Sequence, residues 1–205
     1  MPHPVRVAID GVDAAGKTTL ADELAQQSVF AQRQVIRASI DGFHFPKGRR
    51  YARGTLSPEG YFLDSFDAGT VCALLLEPLG PGGSLEYVAR VSDFRTDQPV
   101  KESPRRACAS GLLLFDGVFL LRPELRAHWD FRVFVHADFS VTLRRAVKRD
   151  VDLFRSVGAI EQRYACRYIP GQKLYLASCN PMAAADVVLD NNNPNAPVLL
   201  KRSDV

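Results

Sequence analysis

No stretch of this 205-residue chain is apolar for long enough to cross a bilayer. The best candidate, Leu112 to Leu121, has ten residues, carries Asp116, and falls far short of the ~20 that a spanning helix needs. A membrane partner is not expected. Cysteine is sparse: Cys72, Cys108, Cys166 and Cys179 form no C-x-x-C pair, which indicates neither a zinc site nor a disulfide framework. Charge is nearly balanced at 26 basic and 23 acidic residues, so no global footprint for nucleic acid exists. There is no internal repeat. The start Met-Pro-His-Pro runs directly into Val5–Asp10 without the basic and apolar regions of a secretory signal, which predicts a cytosolic protein.

The apolar residues that are present fall into short runs. Val5 to Ile9, Val35 to Ile40, Leu112 to Phe115, Phe131 to Val135 and Asp186 to Leu189 read as five strands. Most are uniformly apolar rather than alternating, as in a parallel sheet covered by helices on both faces. Lys17 to Gln27 carries Leu20, Ala21, Leu24 and Ala25 at helical spacing. Ser140 to Asp152 reads as a basic amphipathic helix, and Ile160 to Ser178 as helix with a break at Pro170-Gly171. The pattern predicts one α/β domain over 1–205: a three-layer sandwich with a mainly parallel sheet of about five strands, an insertion around 42–110 marked by Gly80-Pro81-Gly82-Gly83, and a helical lid around 140–175. Asn191 to Pro197 has turn composition.

Gly11-Val12-Asp13-Ala14-Ala15-Gly16-Lys17-Thr18 fits G-x-x-x-x-G-K-[ST] and stands between a strand and a helix, the context that gives this motif its meaning. Glycines let the backbone bend so that successive N–H groups point inward, and the next helix adds unpaired donors and its positive dipole end. A nucleoside triphosphate is the expected ligand. Gly11, Asp13, Ala14, Ala15 and Gly16 form the cradle, Lys17 meets the β- and γ-phosphates, Thr18 ligates Mg²⁺ and Thr19 assists at the α-phosphate.

Ligand crevices in parallel sheets lie beyond the carboxyl ends of the strands, where two acids qualify. Asp41 directly follows Val35 to Ile40, and Asp116 directly follows Leu112 to Phe115. Each is followed by glycine, so an Asp-Gly turn is the competing explanation. Next to a phosphate loop, Asp41 is assigned as general base for an acceptor hydroxyl, and Asp116 as a metal residue acting through water.

These residues resemble the uridine kinase and phosphoribulokinase group of small P-loop kinases, which also includes one type of pantothenate kinase. Asp41-Gly42-Phe43-His44 is similar to that group's Asp-x-Phe-His, Asp64-Ser65-Phe66-Asp67 to its Asp-Ala-Phe-Asp, and Phe115-Asp116-Gly117 to its Glu-Gly segment with Asp for Glu. Arg144 to Asp150 resembles its Arg-Arg-x-x-x-Arg-Asp lid helix. The resemblance implies a P-loop fold, the base role for Asp41, the metal role for Asp116, and charge stabilisation by Arg145 and Arg149. It also implies adenine near Asn191 to Pro194. Two departures stand out. The Asp that grips ribose in uridine kinases is Tyr61 here, and their Tyr-Asp-Phe-x-x-His, which recognises the pyrimidine, corresponds to Ser92-Asp93-Phe94-Arg95-Thr96-Asp97. Uridine is not the expected acceptor.

Lys47, Arg49, Arg50 and Arg53 cluster shortly after Asp41 where an acceptor would sit, and an anionic acceptor, a nucleic-acid patch or a solvated loop all fit that composition. His44, Tyr61 and Arg49 are the candidate acceptor contacts. Asp64 and Asp67 are read as helix-starting residues, and Phe62 and Phe66 as core. The expected activity is ATP-dependent, Mg²⁺-dependent transfer of the γ-phosphate to a small-molecule hydroxyl on a nucleoside, sugar, sugar phosphate or pantothenate-like compound, with self-association left open. The alternative is a nucleotide-dependent regulatory switch. A GTPase form of it is disfavoured, because no Asn-Lys-x-Asp is present and Asp116-Gly117-Val118-Phe119 lacks the glycine of D-x-x-G.

Overall fold

Alternate residues of the strands decide the layering. In β1 (Val5–Gly11), Val7 and Ile9 face one side and Ala8 the other, and all three are buried. The computed structural model describes residues 2–27, 29, 32–154 and 156–203. After the phosphate loop come α1 (Lys17–Ala25), β2 (Val35–Ser39) and a 3₁₀ turn (Ile40–Phe43). The insertion follows, with α2 (Lys47–Arg50), α3 (Pro58–Asp64) and α4 (Ala68–Val71), which continues into a π turn over Cys72–Leu76. Its second half holds four two-residue strands, β3 (Glu86–Tyr87), β4 (Ser92–Asp93), β5 (Gln98–Pro99) and β6 (Arg105–Arg106), paired β3 with β6 and β4 with β5. The chain re-enters the main sheet as β7 (Leu112–Asp116), then α5 (Pro123–Arg126) and β8 (Phe131–His136). The remaining elements are α6 (Phe139–Phe154), α7 (Val157–Arg163), α8 (Ile169–Cys179), α9 (Pro181–Ala184), β9 (Val187–Asp190) and β10 (Val198–Arg202).

The sheet runs β10-β9-β8-β1-β7-β2, parallel except for β10. One face packs Val7, Ile9, Leu112 and Leu114 under Leu20 and Leu24 of α1. The other packs Ala8, Leu113, Phe115 and Phe134 under Leu75, Leu76 and Tyr175. Burying side chains such as Leu113 and Phe115 contributes roughly 1.5–3 kcal/mol each and fixes the strand order that brings β7 beside β1.

The five expected strands are all present, and among the described residues β10 adds a sixth as an antiparallel edge. Its Val198, Leu199 and Leu200 are all exposed and too few to stand out as an apolar run. The expected break at Pro170-Gly171 is absent. The helix instead widens into a π turn over Tyr164–Tyr168, with the Ile169 N–H reaching the Tyr164 carbonyl, which absorbs the proline within a continuous helical path. Gly171 has its own reason: a Cβ there would crowd the Pro58 carbonyl and the Tyr61 ring, so glycine lets α8 close on α3.

Candidate active site

The phosphate loop links β1 to α1 through two residues in left-handed backbone, Ala14 at φ 56° and Gly16 at φ 100°. Lys17 is buried at the helix start, and its Nζ donates to the Val12 carbonyl at 2.7 Å across the loop. Burial lowers its pKa, opposed by the carboxylates of Asp13, Asp10, Asp116 and Asp41. Lys17 therefore sits among four acids. Thr18 and Thr19 are exposed on the first turn of α1.

The sheet register explains how the two sequence-predicted acids meet. Asp116 ends β7 opposite Ile9 of β1 and Ser39 of β2, and Asp41 lies two residues beyond Ser39 in the 3₁₀ turn. The Thr18 hydroxyl donates to Asp116 Oδ2 at 2.6 Å. These hard oxygens suit Mg²⁺, and Thr18 and Asp116 are the residues that would hold it. Asp41 is exposed to solvent, yet its carboxyl is pushed up to about 6, first by desolvation in the crowded cleft and then by the charges of Asp13 and Asp116. His44 leans back on the same turn: Nδ1 donates to the Asp41 carbonyl at 3.0 Å, so Nε2 carries the lone pair. Its ring packs on Phe66 and Phe94, and burial drops its pKa to about 4, leaving it neutral.

The remaining predicted residues are placed less uniformly. Tyr61 is buried against Phe119 and Tyr168 at ring distances of 5.1 and 4.8 Å. Arg49 is exposed, with its guanidinium 3.4 Å above the Phe45 ring. Arg145 donates to the backbone carbonyls of Ala15, Asn191 and Asn192, tying the phosphate loop to the segment after β9. Arg149 reaches Asp13 Oδ1 at 3.4 Å and Asp150 at 2.7 Å. Asp67 caps α4 through the Thr70 N–H, and Asp64 pairs with Arg53 at 2.7 Å.

Three features of the site were not foreseen in the sequence. Arg37 of β2 donates from Nη2 to Asp116 Oδ1 at 3.0 Å and from Nε to Asp22, so the candidate metal carboxylate already has a fixed cationic partner. Asp10, fully buried, accepts from the Gly11 N–H at 2.7 Å and from the Tyr175 hydroxyl; burial raises its pKa to about 6. An acid inside an apolar strand one residue before the first loop glycine was the available signal. Asp13 gathers contacts from three helical segments distant in sequence: its N–H donates to Gln172, and its carboxylate accepts from Tyr164 and Arg149. Burial pushes the Asp13 carboxyl up, but Arg149, Lys17 and Tyr164 outweigh it and hold it below the ordinary carboxylate range.

No family model matches the chain. A uridine/cytidine kinase of Arabidopsis thaliana, described as chloroplastic, is 29% identical over 172 residues, covering 80% of this chain and 33% of its own length. The chain thus spans about a third of that relative. Among solved structures, a possible uridine kinase from Bacillus stearothermophilus superposes with a TM-score of 0.71 at 23% identity, covering 92% of this chain and 89% of its own. Phosphoribulokinase from Rhodobacter spheroides gives a TM-score of 0.60 at 15% identity, with coverages of 92% and 70%. No helix among the described residues is long and apolar enough to cross a membrane. In sequence the chain is similar to uridine kinases, and in fold to the solved structures of a possible uridine kinase and a phosphoribulokinase.

Proposed function

We propose that the protein transfers the γ-phosphate of ATP to a hydroxyl group of a small molecule, in a reaction that requires Mg²⁺. The observation that carries this reading is the placement of Asp41 beside, but not within, the Lys17–Thr18–Asp116 cluster. A base with no side-chain hydrogen bond among the described residues, two residues past the strand that flanks the metal carboxylate, suits deprotonation of an incoming alcohol. Lys17 and the loop N–H groups orient the polyphosphate, and Mg²⁺ when bound supplies neutralisation of its oxygens. As the acceptor oxygen bonds to γ-phosphorus and the bond to the β-phosphate oxygen breaks, the hydroxyl proton passes to the Asp41 carboxylate. Asp13 anchors Arg149, Tyr164 and Gln172, so the lid is held over the loop by contacts that need no acceptor.

Buried Tyr61 in place of a ribose-gripping carboxylate supports an acceptor other than uridine. The direct test is ADP release from Mg·ATP against nucleosides, pantothenate, pentose phosphates and small sugars. Release that rises on adding one hydroxyl compound is the expected result, and release indifferent to every one of them would count against the assignment.

Two further outcomes follow from the site. Lys17→Met should weaken ATP binding by roughly 10- to 150-fold, since a charge-assisted contact of about 1.5–3 kcal/mol is lost. Calorimetry with a non-hydrolysable ATP analogue decides this; unchanged affinity would remove Lys17 from the phosphate site. The pH dependence has a definite sign. A base must be ionised to accept a proton, and Asp41 is raised to about 6, so kcat/KM should be flat above that value and fall about tenfold per unit below it. A profile still flat at pH 5 would separate Asp41 from proton transfer.

A further inference from the structure

The edge strand of the sheet turns a cation toward the candidate metal carboxylate. In β2, Val35, Arg37 and Ser39 alternate onto the face that α1 covers, where Val35 packs with Leu112 and Leu114. Arg37 stands opposite Leu114 in the register, two residues before Asp116 on the same face, so its side chain reaches the acid diagonally across the strand pair. All three guanidinium nitrogens donate. Nη1 bonds the Leu114 carbonyl at 2.7 Å, Nε bonds Asp22 Oδ1 at 3.0 Å, and Nη2 bonds Asp116 Oδ1 at 3.0 Å. The other oxygen of Asp116 accepts from the Thr18 hydroxyl at 2.6 Å, so each oxygen of this acid already has a donor.

A surface ion pair alone does not account for this arrangement. The Asp22 side chain is 57% exposed and the Asp116 side chain only 4%, so the guanidinium bridges an acid in solvent and an acid inside the site. Among the described residues Arg37 is the one cation in an ion pair with Asp116. A cleft of about 320 Å³ opens against Thr18, Arg37, Ser39 and Asp116, space that an ion can enter. Thr18 and Asp116 are the pair proposed to hold Mg²⁺. A guanidinium fixed on that carboxylate occupies one of its acceptor positions and repels a second cation. A metal already neutralised by a polyphosphate meets far less of that repulsion.

We propose that Arg37 is a positioning residue that acts through Asp116 to keep bare divalent cations out of the site, so that metal is taken up with nucleotide rather than before it. The inference rests on the assignment of Thr18 and Asp116 to the metal, part of the kinase reading, and takes nothing from the acceptor. Asp22 and the Leu114 carbonyl hold the guanidinium from its other two nitrogens, which restricts its turning away from the carboxylate.

The test titrates the full chain with Mn²⁺ alone, without nucleotide, and counts the free ion by electron paramagnetic resonance. Arg37→Gln should bind Mn²⁺ about tenfold or more tightly than the unmodified protein, because the opposing charge is gone. Arg37→Lys, which keeps the charge, should bind at least about threefold more weakly than Arg37→Gln. The gain should vanish when Asp116→Asn is added to Arg37→Gln, which locates it at this carboxylate. A merely structural arginine predicts the opposite sign, since a loosened Asp116 would hold metal less well. Affinity in Arg37→Gln that falls or rises less than tenfold, a lysine variant that binds like the glutamine one, or a gain that survives Asp116→Asn would each overturn the proposal. Should Arg37→Gln fail to fold in a thermal melt, Arg37→Met, whose apolar stem suits the face under α1, takes its place with the same criteria. ADP release from Mg·ATP is followed in parallel, and the two readings fail differently. A Mn²⁺ gain at Asp116 in a protein that phosphorylates no hydroxyl compound would sink the kinase reading alone. Hydroxyl-dependent ADP release with Mn²⁺ affinity unmoved by Arg37→Gln would sink this one alone.

Discussion

Asp41→Asn should lower acceptor phosphorylation by roughly 10²–10⁴-fold, the range general-base catalysis contributes, while leaving ATP binding close to normal. The split follows from geometry. The proposed polyphosphate contacts are the loop, Lys17 and Thr18, whereas Asp41 belongs to the 3₁₀ turn after β2 and donates nothing to the loop. Asparagine keeps the size of the side chain and cannot take a proton. It also removes a charge raised by desolvation and by repulsion from Asp13 and Asp116, so the variant should melt no lower than the parent. Loss of activity with intact folding and intact nucleotide affinity isolates the chemical step. Turnover within tenfold of the parent would mean that another group accepts the proton, and the reading of the β2 edge would have to be given up.

The residues whose placement was legible in the sequence share a property: their position depends on neighbours close in the chain or on a rule about sheet edges. The phosphate loop is a local pattern of glycines between strand and helix. Asp41 and Asp116 were found because each directly follows an apolar run, and parallel strands present such positions at one edge. Parallel pairing of β7 with both β1 and β2 then brings the two acids to adjacent strand ends.

What was illegible depends on contacts distant in sequence. Asp10 is held by Tyr175, 165 residues away, and nothing local to β1 reveals that a buried acid there has a donor. Arg37 looks like the polar residue of a half-exposed strand until β7 is placed next to β2 and puts Asp116 within 3.0 Å. The guanidinium of Arg145 lies on three backbone carbonyls, partners that its place in the helix pattern does not reveal. A helix register fixes the face on which an arginine lies, but not which carbonyl of a distant loop it reaches. The π turn before Pro170 belongs to the same category, since only packing of α8 against α3 tells a tolerated proline from a helix break.

The largest effect on stability is expected from Gly11→Ala. Gly11 is the last residue of β1 and pairs with Val135 of β8. Its φ of 150° is one that a side chain strongly disfavours, and a Cβ there would collide with the Val135 carbonyl. Backbone strain and overpacking together should cost about 2–6 kcal/mol, enough to unfold a domain of ordinary stability. The loss cannot be relieved locally. Moving β8 away would break the β1–β8 ladder, while rotating Gly11 would withdraw its N–H from Asp10 and displace the first turn of the phosphate loop. Gly48→Ala is the matched control, because it lies in α2 with no atom near the position of a new Cβ. Urea unfolding should show a large fall in midpoint for the first variant and little change for the second. If Gly11→Ala unfolded at the parent's midpoint, the close approach of β1 to β8 would be wrong, and so would the seat it provides for the loop.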